Sequence, residues 1–573
     1  MQLNSALPTS ACDYIIVGGG SAGAVIANRL SAREGNRVIL MEAGPDTPPD
    51  NVPDVIADSY PGLSYFDPRY HWTGLRVYCR SPRNNDGTAR PSKLEQARVM
   101  GGGSSINGQF AVRGFGADYD EWEAMGLTGW GYAGMLPYLK KLERDLDFSG
   151  PVHGADGPLP IRRLFPDQWA PYSHAALRAM EGLGYSYGAD LNGNEDDGAF
   201  PLPLTNENNR RVSTALAYLD RTTRRRPNLT ILADTMVSGL TFDGQRVTGV
   251  IARMKGERRQ FKAREVIVSA GALHSPAILM RTGIGPAGHL RQMGIPVVAD
   301  LPGVGENLMD HPHISVGGLL TKHARLPPHQ RRHIFFGLRY SSGHEECGAS
   351  DMLMMPANRT GWHPLGKRIG SLGVCVNKSY SRGVVRLASA SPDDEPFVDI
   401  NMLSDGRDLR RLVEAFKLIY RITESQELKP AVKRWFLAGY TDEVRAMQVR
   451  TPVNWVKTAA ASLLFDASPI TREWLCRRKF GPASKLHEMI RDDDAIAQWV
   501  KSSVWSGWHV SGTCRMGGDG DRMAVLDEKC RVRGIEGLRV ADASIMPTIV
   551  RANTNITTIA IGEKASDLIL NGQ

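Results

Sequence analysis

Apolar and polar positions along the chain fall into two rhythms, one of strand length and one of helical period. Tyr14–Val17 is an unbroken apolar run, Arg37–Met41 is a second, and between them Ala22–Ser31 alternates small and apolar residues at helical spacing. Residues 13–44 therefore read strand–helix–strand. Val266–Ala270 reads as a strand end turning into a helix that closes at Gly283, and residues 379–422 read as alternating strands, a turn at Pro392–Glu395 and an amphipathic helix. Near the end Ile556, Ile559, Ala560, Ala565, Leu568 and Ile569 recur every three or four positions, which predicts an amphipathic helix beginning just after Asn553. No run of about 18 apolar residues occurs, so nothing is expected to span a bilayer. No internal repeat is visible, and the pattern predicts an α/β protein.

Composition narrows the class. The 573 residues are 42% hydrophobic and 23% charged, which suits a soluble protein of more than one domain. The net charge of +8 gathers partly at Arg221–Arg226 and Arg331–His333; these clusters read as solvated surface, because no aromatic interleaving or known module points to nucleic acid. A weaker reading is attraction to acidic substrates or an anionic membrane surface. Seven cysteines, odd in number and without CxxC spacing, argue against a disulfide framework and a zinc site. The start lacks a basic-then-apolar leader, so a cytoplasmic location is expected, with peripheral membrane association left open.

The turn after the first strand carries the clearest chemistry. Gly18, Gly20 and Gly23 follow G-x-G-x-x-G spacing, and Glu42 ends the second strand. Gly18 permits the tight turn, Gly20 lets backbone approach a pyrophosphate, and Gly23 lets helix and strand pack closely. The helix start at Ser21 and Ala22 offers free N–H groups to phosphate, while Glu42, with Ala43 beside it, can accept from ribose hydroxyls. An acid there repels a 2′-phosphate and disfavours NADP; NAD and FAD remain equal on this motif.

Four further stretches carry a resemblance: "ARVMGGGSSINGQFAVRG" at 97–114, "GALHSPAILMRTGIGP" at 271–286, "PGVGENLMDHP" at 302–312, and "WHVSGTCRMG" at 508–517 with "GLRVADASIMPTIVRANTNITTIAIGEKASDLI" at 537–569. In this order the chain resembles the glucose–methanol–choline (GMC) family of FAD-dependent oxidoreductases over nearly its whole length. The resemblance implies a Rossmann-type FAD-binding domain from 10–155, 213–315 and 505–573. It also implies a substrate domain from 156–212 and 316–504, an antiparallel sheet backed by helices. It places Gly101, Gly102, Ser105, Asn107, Gly108, Val237, Asp542, Ala543, Asn555 and Thr557 along the cofactor, with Asn107 at the isoalloxazine edge. Where some choline-oxidising members attach FAD through a histidine, this chain has Ile106, so non-covalent FAD is expected. Asp542 also reads as a helix N-cap, and the two roles are compatible.

The same resemblance makes His509 the proton acceptor and Asn553 its partner on the substrate oxygen, for hydride transfer from a primary alcohol to the flavin. Against this stands a plainer reading of each: a core histidine beside Trp508, and an asparagine N-cap. His311 and His313 read as a structural turn rather than a metal pair, and no metal is expected. Trp508 is the expected substrate wall. A tryptophan before the histidine resembles the 5-hydroxymethylfurfural oxidase-like and pyridoxine oxidase-like members, which tilts the substrate toward a flat aromatic or heteroaromatic alcohol. Oxygen or another acceptor would take the electrons, and the oligomeric state stays open. The alternatives are choline dehydrogenase-like oxidation, a hydroxynitrile lyase-type reaction on the same scaffold, and a flavin protein without catalysis.

Overall fold

The computed structural model describes residues 12–82, 89–480 and 485–572. Its first sheet grows from β1 (Cys12–Val17), α1 (Ser21–Ser31) and β2 (Val38–Met41). Parallel pairings order it Leu229–Leu232, β2, β1, Glu257–Val268 and Leu538–Val540. Ile15, Ile16, Leu40, Val266 and Ile267 are fully enclosed, the near-continuous apolar character of strands covered on both faces. Strand Glu257–Val268 is longer than its apolar run predicts. Its exposed first half pairs antiparallel with Arg246–Met254, which pairs in turn with Thr235–Asp243. Chain order reverses between β1 and Glu257–Val268, and ligands of open α/β sheets bind at the strand carboxyl ends beside such a reversal. Gly18–Gly20 lies there.

The carboxy-terminal helix, Thr554–Leu570, packs on α1. It was expected to be amphipathic, but it is buried on almost every side, polar residues included. Glu563 takes an ion pair from Arg29 at 2.6 Å and a hydroxyl from Tyr218 at 2.8 Å, and Lys564 donates to the Gly129 carbonyl at 2.7 Å. Periodicity shows which positions are polar; it does not show whether water or a buried partner satisfies them.

A second sheet is antiparallel throughout, in the order Val432–Ala438, Pro312–Leu320, Ile369–Val376, Met352–Ala357, Phe336–Tyr340 and Gly198–Pro201. Trp505–Ser506 pairs with the start of Pro312–Leu320. Helices Pro171–Glu181 and Gly406–Thr423 pack against this sheet. Two features differ from the expected segmentation. Strand Pro312–Leu320 runs across the boundary at 315, and the strands read within 379–399 do not join this sheet. Val384–Arg386 pairs with Phe397–Asp399, which pairs with Arg76–Tyr78 from the amino-terminal segment. Alternation identifies a strand, but its partner is chosen by three-dimensional packing.

The two basic clusters are partly neutralised. Arg221 pairs with Asp50 at 2.5 Å, Arg224 with Asp46 at 2.7 Å and Arg331 with Asp58 at 2.5 Å. Among the described residues no helix is long and apolar enough to cross a membrane, and the six described cysteines are free thiols.

Candidate active site

A continuous cavity of about 1310 Å³ runs between the two sheets. One end is formed by the carboxyl ends of the parallel strands, with Gly18, Gly20, Ser21, Ala22, Glu42, Ala43, Val237, Asp542 and Ala543 in its wall. The other end rests on the antiparallel sheet. Alternate residues face it, as strand geometry requires: His313, Ser315 and Gly317 from one strand, Ile369, Ser371 and Gly373 from its neighbour. Mostly small side chains on that floor leave the space above it open.

The nucleotide end is built for an extended anionic ligand. α1 begins at Gly20 without a side-chain cap, so its first N–H groups face the cavity. Gly102 lies so close to Gly20 that a Cβ on it would meet the Gly20 Cα at 2.7 Å, which holds the second glycine loop against the first. Glu42 accepts from the Gly19 and Gly44 N–H groups, each at 2.9 Å, and burial raises its carboxyl to about 7. Asn555 meets the Ser21 hydroxyl at 2.7 Å while its amide nitrogen is buried without a partner. Asp542 accepts from the Gly271 N–H at 2.8 Å, the Ser275 hydroxyl at 2.6 Å and the Ser544 N–H at 2.7 Å, the last being the N-cap role anticipated for it. Open helix N–H groups, an orphan amide donor and a carboxylate at the strand end fit a pyrophosphate and a ribose, so these residues would hold FAD.

Not every expected contact faces the cavity. Ser105 turns its hydroxyl to the Met100 carbonyl at 2.7 Å, and Thr557 shares a 2.9 Å hydrogen bond with Tyr119. Thr557 sits two residues beyond Asn555, which on a helix points it to the far side. Gly101 and Gly23 shape the site from behind: Gly101 adopts φ +85 and donates to the Gly19 carbonyl at 2.7 Å, while Gly23 packs on Gly18. Gly102, Asn107, Gly108 and Ile106 do line the cavity.

At the far end His509 and Asn553 meet. The Asn553 amide nitrogen lies 2.9 Å from His509 Nε2, although 44 residues separate them. Asn553 occupies the N-cap position of Thr554–Leu570, but its side chain makes no capping bond. His509 is held from three sides. Its Nδ1 lies 2.9 Å from Nδ1 of His311, its backbone N–H donates to Asp310 at 2.9 Å, and Asp310 also accepts from the His311 N–H at 2.7 Å and from the Ser506 hydroxyl. With the Asn553 N–H on Nε2, the proton of neutral His509 sits on Nδ1 and is donated to His311. Burial pushes His509 down to about 4, so the ring is neutral and the unprotonated Nε2 is the acceptor of the Asn553 N–H. Burial also raises Asp310 to about 6.

Trp508 is placed with strain. Its φ is +59, a conformation that bulky residues rarely adopt, and its N–H is tied to Ser506 Oγ at 2.9 Å. The ring packs edge-on to Tyr65 at 4.9 Å, Trp505 at 5.2 Å and Tyr440 at 5.5 Å, with Phe66 beyond. The indole nitrogens of Trp505 and Trp508 and the Nε2 of His313 are buried without partners. Burial lowers His313 to about 3. Glu95, which borders this aromatic group, is occupied by the Tyr65 hydroxyl at 2.8 Å and by Arg445. Elsewhere Glu143, Asp145 and His153 converge, but Arg113, Arg163 and Asp190 already pair with them at 2.7, 2.7 and 2.8 Å, an ion-pair network inside the protein.

Residues 12–313 match the amino-terminal GMC oxidoreductase family model and residues 379–562 the carboxy-terminal one. The chain belongs to the GMC oxidoreductase family. It is 41% identical to the 5-(hydroxymethyl)furfural oxidase of Methylovorus sp. (strain MP688), over 97% of this chain and 98% of that one. It is 33% identical to the mitochondrial choline dehydrogenase of Homo sapiens, over 97% and 89%. Among solved structures, pyridoxine 4-oxidase from Mesorbium loti superposes with a TM-score of 0.80 at 28% identity, covering 98% and 99% of the two chains. This GMC oxidoreductase is thus an FAD-dependent enzyme that oxidises the CH–OH group of an alcohol.

Sequence reasoning missed the backing of the site. His311 was read as part of a structural turn and Asp310 only as part of a family motif, and Tyr65, Phe66, Tyr440 and Trp505 carried no assigned role. A signal existed for the histidine, since "DHP" follows the glycine-rich 302–308 stretch; nothing local announces that it meets His509.

Proposed function

We propose that this enzyme oxidises a flat aromatic or heteroaromatic primary alcohol to its aldehyde, with His509 as proton acceptor. The observation that carries the reading is the His509–Asn553 pair set inside an aromatic chamber that opens onto the FAD cleft. The alcohol hydroxyl would replace the Asn553 N–H on Nε2 of His509, donating to Nε2 and accepting the Asn553 N–H on its own oxygen. Nε2 would take the hydroxyl proton, Asn553 would hold the oxygen, and His311 would keep the ring in the tautomer that leaves Nε2 bare. Bound FAD supplies the two-electron acceptor for the hydride leaving the same carbon. Trp508, Tyr65 and Tyr440 would clamp the substrate ring, and the unpartnered indole N–H groups suit a ring bearing acceptor atoms. A trimethylammonium alcohol would want a free carboxylate among these aromatics, whereas Glu95 is already paired. That favours the aromatic alcohol over a choline-like one. FAD would be held non-covalently beside Ile106, by a domain drawn from 10–155, 213–315 and 505–573; free thiols suit a cytoplasmic setting.

Anaerobic addition of aryl alcohols should bleach the flavin band near ~450 nm. Bleaching by choline alone, or cyanohydrin cleavage without any bleaching, would replace this reading with one of its alternatives.

Two expectations follow for the pair. Asn553→Ala should slow flavin reduction by about tenfold, the cost of one hydrogen bond to the reacting oxygen. A loss of melting temperature with reduction untouched would return Asn553 to a purely structural role. The pH profile should also be informative. His509 must be neutral to accept a proton, and its pKa is depressed, so activity is present above that value and lost as pH falls through it. The reduction rate should stay level from about pH 8 to about pH 6 and fall only below roughly pH 5. A fall centred near the ordinary histidine value of about 6.5 would contradict the placement.

A further inference from the structure

Helix Pro452–Ala467 is apolar on the side that faces solvent. Val453, Val456, Ala460, Leu463 and Leu464 follow one another at three- and four-residue steps on its exposed stripe, with Leu463 69% exposed. Its inward stripe carries Thr458 and Ser462, both buried, together with Phe465. An ordinary surface helix has the opposite arrangement. The next helix, Pro469–Phe480, adds Ile470, which is 82% exposed, and Trp474. With Trp455, seven of the large apolar side chains exposed among the described residues lie between 453 and 474. An apolar surface of this kind marks a contact site.

The charge around it selects the occupant. Residues 450–480 hold six Lys or Arg against Asp466 and Glu473, a net of four out of the chain's +8. Both acids are already paired, Asp466 with Arg325 and Arg368, Glu473 with Arg434 and Arg477. A second copy of this chain would bring like charge against like charge. A bilayer containing anionic phospholipid matches both features, taking the apolar stripe into its interface and the cations at its headgroups. The inner side of the same helix lines the cavity through Thr458, Ala461 and Phe465.

We propose that the 452–480 helix pair docks this enzyme on anionic membrane surfaces, with the cavity lying directly behind the docked helix. The purified holoenzyme should co-sediment with vesicles of phosphatidylcholine containing phosphatidylglycerol and far less with pure phosphatidylcholine. The variant L463Q/L464Q/I470Q should bind the anionic vesicles at least about tenfold more weakly, while keeping its flavin content and its melting temperature. Wild-type-like binding by the variant would reduce the effect to nonspecific charge and overturn the proposal, as would no binding by the wild type. A concentration-dependent dimer that the three substitutions abolish, without vesicle binding, would overturn it in favour of a second copy.

Discussion

His509→Ala should fold, retain FAD, and be reduced by its alcohol roughly 10²–10⁴-fold more slowly than the wild type, the range for loss of a general base. Retention of the cofactor is expected because the nucleotide end of the cavity is built from Gly18, Gly20, Glu42, Asp542 and Asn555, none of which bonds to the His509 ring. The rate should fall because no other group presented there is an equivalent base. His311 stands behind the His509 ring, outside the cavity wall, and His313 Nε2 is not joined to the Asn553 amide that would hold the oxygen. Stopped-flow reduction under anaerobic conditions measures the step directly. A flavin-loaded variant reduced at a near-normal rate would remove His509 from the chemistry.

Gly23→Ala should yield protein without flavin, or none that is soluble. Alanine is the best helix former and glycine among the poorest, so at an ordinary helical position the change would stabilise by up to about 1 kcal/mol. Here a Cβ would stand 1.9 Å from the Gly18 carbonyl oxygen, a backbone atom of the very turn that faces the cofactor. Helix α1 and β1 would have to separate, at an expected cost of about 3 kcal/mol or more. Flavin absorbance per protein and the melting temperature read both consequences. A variant with full flavin content and an unchanged or raised melting temperature would show that the close approach is not required.

What was legible in the sequence follows the range of the interaction concerned. The Gly18–Glu42 unit was readable because every part of it is local: a strand, a turn, a helix start and a strand end within thirty residues. Ser105 and Thr557 were placed along the cofactor by resemblance, which does not say where a hydroxyl points; helix rotation and loop geometry turn each toward a protein partner. Asp310 and His311 act across about 200 residues, and their motif alone admits a turn as readily as a support for a distant imidazole. The strands at 384–399 were visible as strands, yet their partner at 76–78 was not. Trp508 was expected as a wall from its place before His509, and it lines the cavity; its positive φ and the ring cluster that fixes it depend on the fold.

The contact between Ser21 and Asn555 joins residues 534 positions apart, and α1 packs on the last helix of the chain. The cofactor cleft therefore has no closed form until the segment around Asn555 has docked on α1. A chain carrying everything up to residue 550 still lacks the Asn553–Asn555 corner, so closing the nucleotide end and docking that helix are one step of folding rather than two.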